Sequence, residues 1–256
     1  MSCVPAMTLI GKNIEQLKTI NMLIDYQKVN VVQDDNVVLK DVNLQVNEGD
    51  FVYIIGKVGS GKSSLLKTMY CELDHSSPEK AEVLGRDVAH IRRKDVPALR
   101  REMGIIFQDF QLLHDRSVRK NLDFVLRATG WRKRKERDER ITHVLEAVDM
   151  ADKIDKMPYE LSGGEQQHIA IARAILNKPR IIIADEPTGN IDMETARHIV
   201  SLLKRISEDG TAVVMTTHNI HLLDEFPGKV YRCKDGLLSD VTHEYRQMDL
   251  TEDSKD

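Results

Sequence analysis

The sequence predicts an α/β fold: a mainly parallel sheet with helices on both faces and a helical lobe inserted into it. Three observations carry that expectation. Short apolar strands alternate with longer amphipathic helical segments, the pattern of βαβ units. One strand, residues 51–55, runs directly into Gly56-Lys57-Val58-Gly59-Ser60-Gly61-Lys62-Ser63, a full match to the phosphate-loop pattern G-x-x-x-x-G-K-[ST]. The stretch from residue 87 to 160 differs in character, being charged, poor in glycine and helical in its periodicity.

Bulk properties narrow the function classes. At 256 residues, 41% hydrophobic and 30% charged, the chain is long enough to bury a full α/β core. A formal net charge of −4 argues against a general nucleic-acid binder. Purely apolar runs such as residues 181–184 are strand-sized, far short of the roughly 18–20 residues of a membrane span. Any membrane role therefore comes through a partner. Cys3, Cys71 and Cys233 are widely spaced and without metal-ligand spacing, so they read as reduced thiols. Residues 1–21 lack a basic start followed by an uninterrupted apolar core and do not read as a signal peptide. They read as an appended extension or a mis-called start, with Met7 and Met22 as alternatives.

The elements follow in order. Residues 22–26 open a folded domain that extends to 241. Residues 38–46 alternate, with Leu44 and Val46 against Asn43 and Gln45, as a half-buried strand does. Residues 47–50 are a turn, 51–55 a strand, and a helix runs from Ser63 to about residue 73. In the helical lobe, residues 132–150 place Ile141, Val144, Leu145 and Val148 on one face. The run Arg132-Lys133-Arg134-Lys135 reads as a solvated helix face, with anionic lipid or a partner as the sharper alternative. A helix spans 165–176, and a buried strand runs from 181 to Asp185-Glu186. The 194–207 helix carries Ala196, Ile199, Val200, Leu203 and Ile206 on one stripe. A strand over 211–217 ends at His218, and a hairpin over 229–240 turns at Asp235-Gly236. The polar, acidic tail 242–256 is expected to be disordered. No internal repeat and no second phosphate loop occur.

The chemistry concentrates at a few points. Glycines in the loop let successive backbone N–H groups face phosphate oxygens, and the following helix adds the positive end of its dipole. Lys62 is expected to reach the β- and γ-phosphates, and the Ser63 hydroxyl to ligate Mg²⁺. Asp185 and Glu186 end a buried strand, the first suited to the metal and the second to polarising an attacking water.

Between these two motifs lies Leu161-Ser162-Gly163-Gly164-Glu165-Gln166-Gln167. With the three in this order, residues 22–240 resemble the ATP-binding cassette (ABC) ATPases. That resemblance implies a RecA-like P-loop NTPase core with an antiparallel β subdomain, hydrolysis of ATP, and Mg²⁺ as cofactor. Gly56 through Ser64, with Ser64 included, would hold the nucleotide. Gln108, in Ile105-Ile106-Phe107-Gln108-Asp109, would link the metal site to the helical lobe. His218 would hydrogen-bond the γ-phosphate, at the carboxyl end of a parallel strand where such folds place ligands. Ser162, Gly163 and Gly164 precede their helix and face outward, and Thr188-Gly189-Asn190-Ile191-Asp192 resembles the loop that crosses to a partner subunit. The family's architecture thus implies a head-to-tail homodimer sharing two ATP sites.

Met103-Gly104-Ile105-Ile106-Phe107-Gln108-Asp109-Phe110-Gln111-Leu112-Leu113 and Asp115-Arg116-Ser117-Val118 resemble the cell-division (FtsE) group within that family. This implies an FtsX-type integral membrane protein as partner at the cytoplasmic face of the bacterial inner membrane. It further implies an indirect link to extracytoplasmic cell-wall hydrolases, and no nucleic acid. The alternatives are the ATPase of a lipoprotein-release or macrolide-type exporter and a nucleotide-gated division scaffold. Two departures matter. Valines stand at Val31-Val32, where the family places an aromatic against adenine, and Tyr26 falls several residues early. His168 replaces a usual arginine, making a charge at the signature helix pH-dependent.

Overall fold

The computed structural model describes residues 22–76, 78–189 and 191–245. The expectations for residues 1–21 and 246–256 lie outside the described residues. Two sheets are present. In the first, β1 (Met22–Gln33) and β2 (Asn36–Asn47) form a long antiparallel hairpin turning through Asp34 and Asp35, both at positive φ. Added to β1 are β4 (His75–Ser76) and β5 (Lys80–Val83), with β6 (Arg86–Asp87) beyond β5, all antiparallel.

The second sheet has the order β11-β10-β3-β9-β8-β7. Its members are β3 (Phe51–Ile55), β7 (Met103–Ile106), β8 (Ile181–Ala184), β9 (Ala212–Thr216), β10 (Lys229–Lys234) and β11 (Leu237–Asp240). From β10 to β7 every pairing is parallel, and only β11 runs the other way. A parallel sheet must be covered on both faces, and alternation along each strand does this here. Phe51, Tyr53 and Ile55 of β3 pack toward the helices, with Ile182, Val213 and Met215. Val52 and Ile54 face the opposite way, with Ile181, Ile183 and Val214, toward the antiparallel sheet. A slip of one residue would exchange the two faces.

Among the described residues seven α-helices accompany this frame: α1 (Lys62–Met69), α2 (Val96–Arg101), α3 (Val118–Ala128), α4 (Arg134–Ala147), α5 (Gly163–Ile175), α6 (Met193–Glu208) and α7 (His221–Glu225). Between the two sheets lies α1, with Leu65, Leu66 and Met69 buried. It ends earlier than expected because Cys71 turns left-handed, at φ 57°. The apolar stripes expected on α4 and α6 are buried at Ile141, Val144, Leu145 and Val148 and at Ala196, Ile199, Val200 and Leu203, while Ile206 is only half-buried.

Two boundaries differ from expectation. Residues 87–160 are not helical throughout, because Met103–Ile106 forms the edge strand of the parallel sheet beside β8. The helices that pack as the lobe begin at Val118. The tail is also anchored at its start. Tyr245 is buried, its hydroxyl 3.3 Å from Asp224 Oδ1, so residues 242–245 are ordered, against the expectation.

Candidate active site

Parallel pairing decides where the functional residues meet. β3, β9, β8 and β7 run the same way, so their carboxyl ends share one edge. The segments leaving those ends carry Gly56, His218, Asp185-Glu186 and Gln108 respectively. Residues more than a hundred positions apart are brought together by strand direction alone.

The phosphate loop curls through Gly56, Gly59 and Gly61, all at positive φ, and Gly61 caps α1. Gly56 is also a matter of space: a Cβ there would lie 2.5 Å from the Cys233 carbonyl oxygen of β10. Burial pushes the neighbouring Cys233 thiol up to about 12, with Lys62 opposing, so it stays neutral. Lys62 is buried, and its Nζ donates to the Gly56 and Lys57 carbonyls at 2.8 and 2.9 Å. Val58, 92% exposed, marks the open tip of the loop.

Across the edge, hydrogen bonds tie three strand ends into one relay. Ser63 Oγ donates to Asp185 Oδ1 at 3.0 Å, and Thr216 Oγ1 donates to the same oxygen at 2.7 Å. Thr216 Oγ1 in turn accepts from the Glu186 backbone N–H at 2.7 Å. Glu186 takes a left-handed conformation, φ 43°, and its carboxylate is 15% exposed. It lies 3.8 Å from Lys62 Nζ and 3.5 Å from His218 Nδ1. A Cβ at Gly189 would lie 3.3 Å from Gln108 Nε2 and 3.5 Å from Glu186 Oε2, so Gln108 reaches the same corner.

Fit to a nucleotide and Mg²⁺ rests on three features. The buried Ser60 Oγ has no partner, and Gly59 opens onto free space, with nothing within 4 Å of a Cβ placed there. Ser63, Asp185 and Gln108 supply hard oxygen donors of the kind Mg²⁺ takes. Among the described residues no three His, Cys, Asp or Glu side chains group as a metal site. A cation here would take the rest of its ligands from phosphate and water.

The signature segment is built differently. Ser162 is the N-cap of α5, and Gly163 and Gly164 are its first residues; the glycines do not precede the helix as expected. The cap outweighs their poor helix propensity. Glu165 N donates to Ser162 Oγ at 3.2 Å, and Ser162 N donates back to Glu165 Oε2 at 2.8 Å, a capping box. That backbone N–H, with Lys153 beside it, holds the Glu165 carboxyl below its usual range. His168 Nδ1 lies 2.8 Å from the Gly164 carbonyl, to which it donates.

Asp192 plays the same part for α6, accepting from Thr195 N and Oγ1 at 3.0 and 2.7 Å. Those bonds, the backbone one first, lower its carboxyl too. Asn190 of this loop lies outside the described residues. The two helix starts touch, since a Cβ at Gly164 would lie 2.5 Å from Thr195 Cγ2.

Two further points bear on the sequence reading. The Ser64 hydroxyl is engaged within the subunit, its Oγ donating to Gln33 Oε1 at 2.7 Å. What remains is its N–H in the first turn of α1. Tyr26 is fully buried, bonded to Thr68 Oγ1 at 3.2 Å and His75 Nε2 at 3.1 Å, so it offers adenine no face. The residue that sequence reasoning passed over is Thr216. Its signal was present: a lone polar side chain at the end of an otherwise apolar strand, two residues before His218.

A phosphate loop, an acidic pair on the adjoining strand and a capped Ser-Gly-Gly helix start define an ATPase of the cassette class. The ABC transporter family model matches residues 39–189, and the chain belongs to that family. It is similar to the cell division ATP-binding protein FtsE of Mycobacterium tuberculosis, 42% identical over 201 residues, 78% of this chain and 86% of the relative. FtsE of Streptococcus pneumoniae serotype 2 is 40% identical over 200 residues, covering 77% of this chain and 85% of that protein. Among solved structures it resembles the dimeric post-hydrolysis state of the ATP-binding cassette MJ0796 bound to ADP and Pi. The TM-score is 0.73 at 31% identity, over 86% of this chain and 98% of that one. The chain is an FtsE-like ABC ATPase that binds nucleotide and hydrolyses ATP. Among the described residues no helix is long and apolar enough to cross a membrane.

Proposed function

We propose that this chain is the ATP-driven subunit of an FtsE-type membrane complex. Two copies pair head to tail around ATP, and the pair works on an FtsX-type membrane protein at the cytoplasmic face of a bacterial inner membrane. Through that partner it regulates cell-wall hydrolases during division.

The observation that carries this reading is the split between the two halves of the chemistry. Lys62, Ser63, Asp185, Glu186, Gln108 and His218 converge on one sheet edge. Ser162–Gly164 and Asp192 instead open two capped helix starts packed on each other, and their side chains bond to their own first turns and not to that relay. Helix starts with free N–H groups bind phosphate, and a second copy supplies one.

In this reading the backbone from Gly56 to Ser64 wraps the phosphates, and Lys62 leaves the loop carbonyls for the β- and γ-phosphates. Ser63, Asp185 and Gln108 would hold Mg²⁺, whose chemistry is to neutralise charge on the phosphate oxygens. Glu186 orients and deprotonates the attacking water, and His218 donates to the γ-phosphate. Loss of that phosphate releases the partner's Ser162–Gly164, and the interface opens.

Glu186→Gln protein, drawn with and without ATP from detergent-solubilised native membranes and read by mass spectrometry, tests the assignment. ATP-dependent recovery of one integral membrane protein with a large extracytoplasmic domain, together with wall hydrolases, is the expected result. Recovery of a lipoprotein- or drug-transport permease would overturn it.

A further inference from the structure

Charge is unevenly placed along this chain. Residues 115–140 carry ten Lys or Arg against five Asp or Glu, so this stretch is +5 while the whole chain is −4. The remainder is therefore −9. This stretch comprises α3, the start of α4 and the turn between them, and the site described above uses none of it.

Two open depressions lie side by side here and share Arg127. The first, about 500 Å³, is lined by Arg116, Lys120 and Phe124 with Asp115 and Asp123. The second, about 390 Å³, is lined by Trp131, Arg132 and Arg137. Phe124 is 48% exposed, and the Arg116 guanidinium sits 4.9 Å above its ring centroid. Trp131, half-buried, is held by its Nε1 donating to Asn177 Oδ1 at 3.1 Å.

Carboxylates do not cancel this surface. Asp123 is engaged by Arg127 and Arg137, each at 2.6 Å, and Asp115 lies 3.6 Å from Arg116. Exposed Lys133, Arg134 and Lys135 each face a carboxylate one turn on, at 2.7, 3.6 and 3.8 Å. Such exposed pairs are weak and yield readily to a competing anion. Among the described residues Lys120 and Arg132 have no ion-pair partner at all. Cations ringing headgroup-sized hollows, with aromatic rings at their rim, match a phosphodiester that has an apolar edge. A nucleic acid also offers phosphates, but it would extend past the patch onto a chain whose remainder is strongly negative.

We propose that this face of α3 and α4 binds the headgroups of anionic phospholipids, seating the helical lobe on a membrane surface without a protein intermediary. The test floats the purified full chain with phosphatidylglycerol-containing vesicles and with phosphatidylcholine vesicles, at low and high salt. Binding to the anionic vesicles alone, falling steeply with salt, is expected. Lys120→Gln/Arg132→Gln/Lys133→Gln together should weaken it by about a hundredfold, since each cation near the surface is worth about fivefold, and the three Glu replacements should weaken it further. Phe124→Ser should weaken it several-fold, and these variants should keep wild-type ATP turnover in solution.

Equal binding to neutral vesicles, no binding, or indifference to charge reversal would each overturn the proposal. So would the triple variant losing a co-purified membrane protein while the wild type ignores vesicles, which would give the face to a protein. No membrane partner is present in the vesicle assay, so its failure leaves the proposed complex standing.

Discussion

The phosphate-loop half of the site and the signature half solve opposite problems. In the first, polar groups are bonded to one another across strand ends: Ser63 to Asp185, Asp185 to Thr216, Thr216 to the Glu186 backbone. In the second, Ser162 and Asp192 bond only to the first turns of their own helices. One half is organised inward, so that its geometry is set before any ligand arrives. The other keeps helix starts exposed, and its ligand has to come from outside the subunit. Strand ends suit reaction chemistry because a sheet fixes them, whereas helix starts suit recognition because caps leave N–H groups facing out.

The largest effect that could break this comparison comes from mixing. Glu186→Gln should cut phosphate release by about 10²–10⁴-fold while ATP still binds, the usual cost of removing a general base. A Ser162→Arg variant should be equally inactive. An equimolar mixture of the two should regain turnover, because one of the two shared sites then holds both intact halves. No gain on mixing would mean that each subunit completes its own site.

Gly164→Ala sharpens the second half. Its methyl would lie 2.5 Å from Thr195 Cγ2, so we expect a loss of about 1–3 kcal/mol in stability. Adding Thr195→Ser removes that methyl but keeps the hydroxyl for Asp192, and thermal melts should show most of the loss restored. A smaller effect tests the inward half. Thr216→Val leaves Asp185 and the Glu186 N–H each short of a partner and should cost about 1–3 kcal/mol in urea unfolding.

The smallest lies behind α1, where burial holds His75 below its ordinary value against the pull of Asp74 and Asp87. Folding then favours the neutral ring. Stability is full above the unfolded value near 6.5 and falls as pH drops below it, because the unfolded chain takes up the proton first. His75→Gln should flatten that slope in melts across the same range; an unchanged slope would assign it elsewhere.

Much of the inward half was legible because its residues stand next to each other in sequence. Gly56–Ser63 and Asp185-Glu186 are contiguous motifs on strand ends, and Asp235-Gly236 announces the β10–β11 turn. What escaped depends on register between distant strands. β5 pairs with β1 more than fifty positions away, and its alternation, Ala81 and Val83 buried beside Lys80 and Glu82, spans only four residues. β7 is equally short and lies within a charged stretch, so it was absorbed into the expected helical lobe. Thr216 and Ser64 each carry a hydroxyl whose partner is visible only once strands are aligned. The start of α5 was misjudged because two glycines argue against a helix, and only the cap geometry overrides them.

The close approach of Gly56 to Cys233 carries a consequence for how the molecule is made. β3, which delivers the loop, is flanked by β9 on one side and β10 on the other. Both neighbours lie more than 150 residues further along the chain, and Lys40 N reaches as far as the Gly236 carbonyl at 2.8 Å. A nascent chain emerging from the ribosome therefore exposes its phosphate loop early, on a strand with no neighbours. The catalytic centre closes only when β9 and β10 have also left the exit tunnel. Fragments that stop short of the final hairpin hold the complete loop sequence and still lack the wall against which it folds.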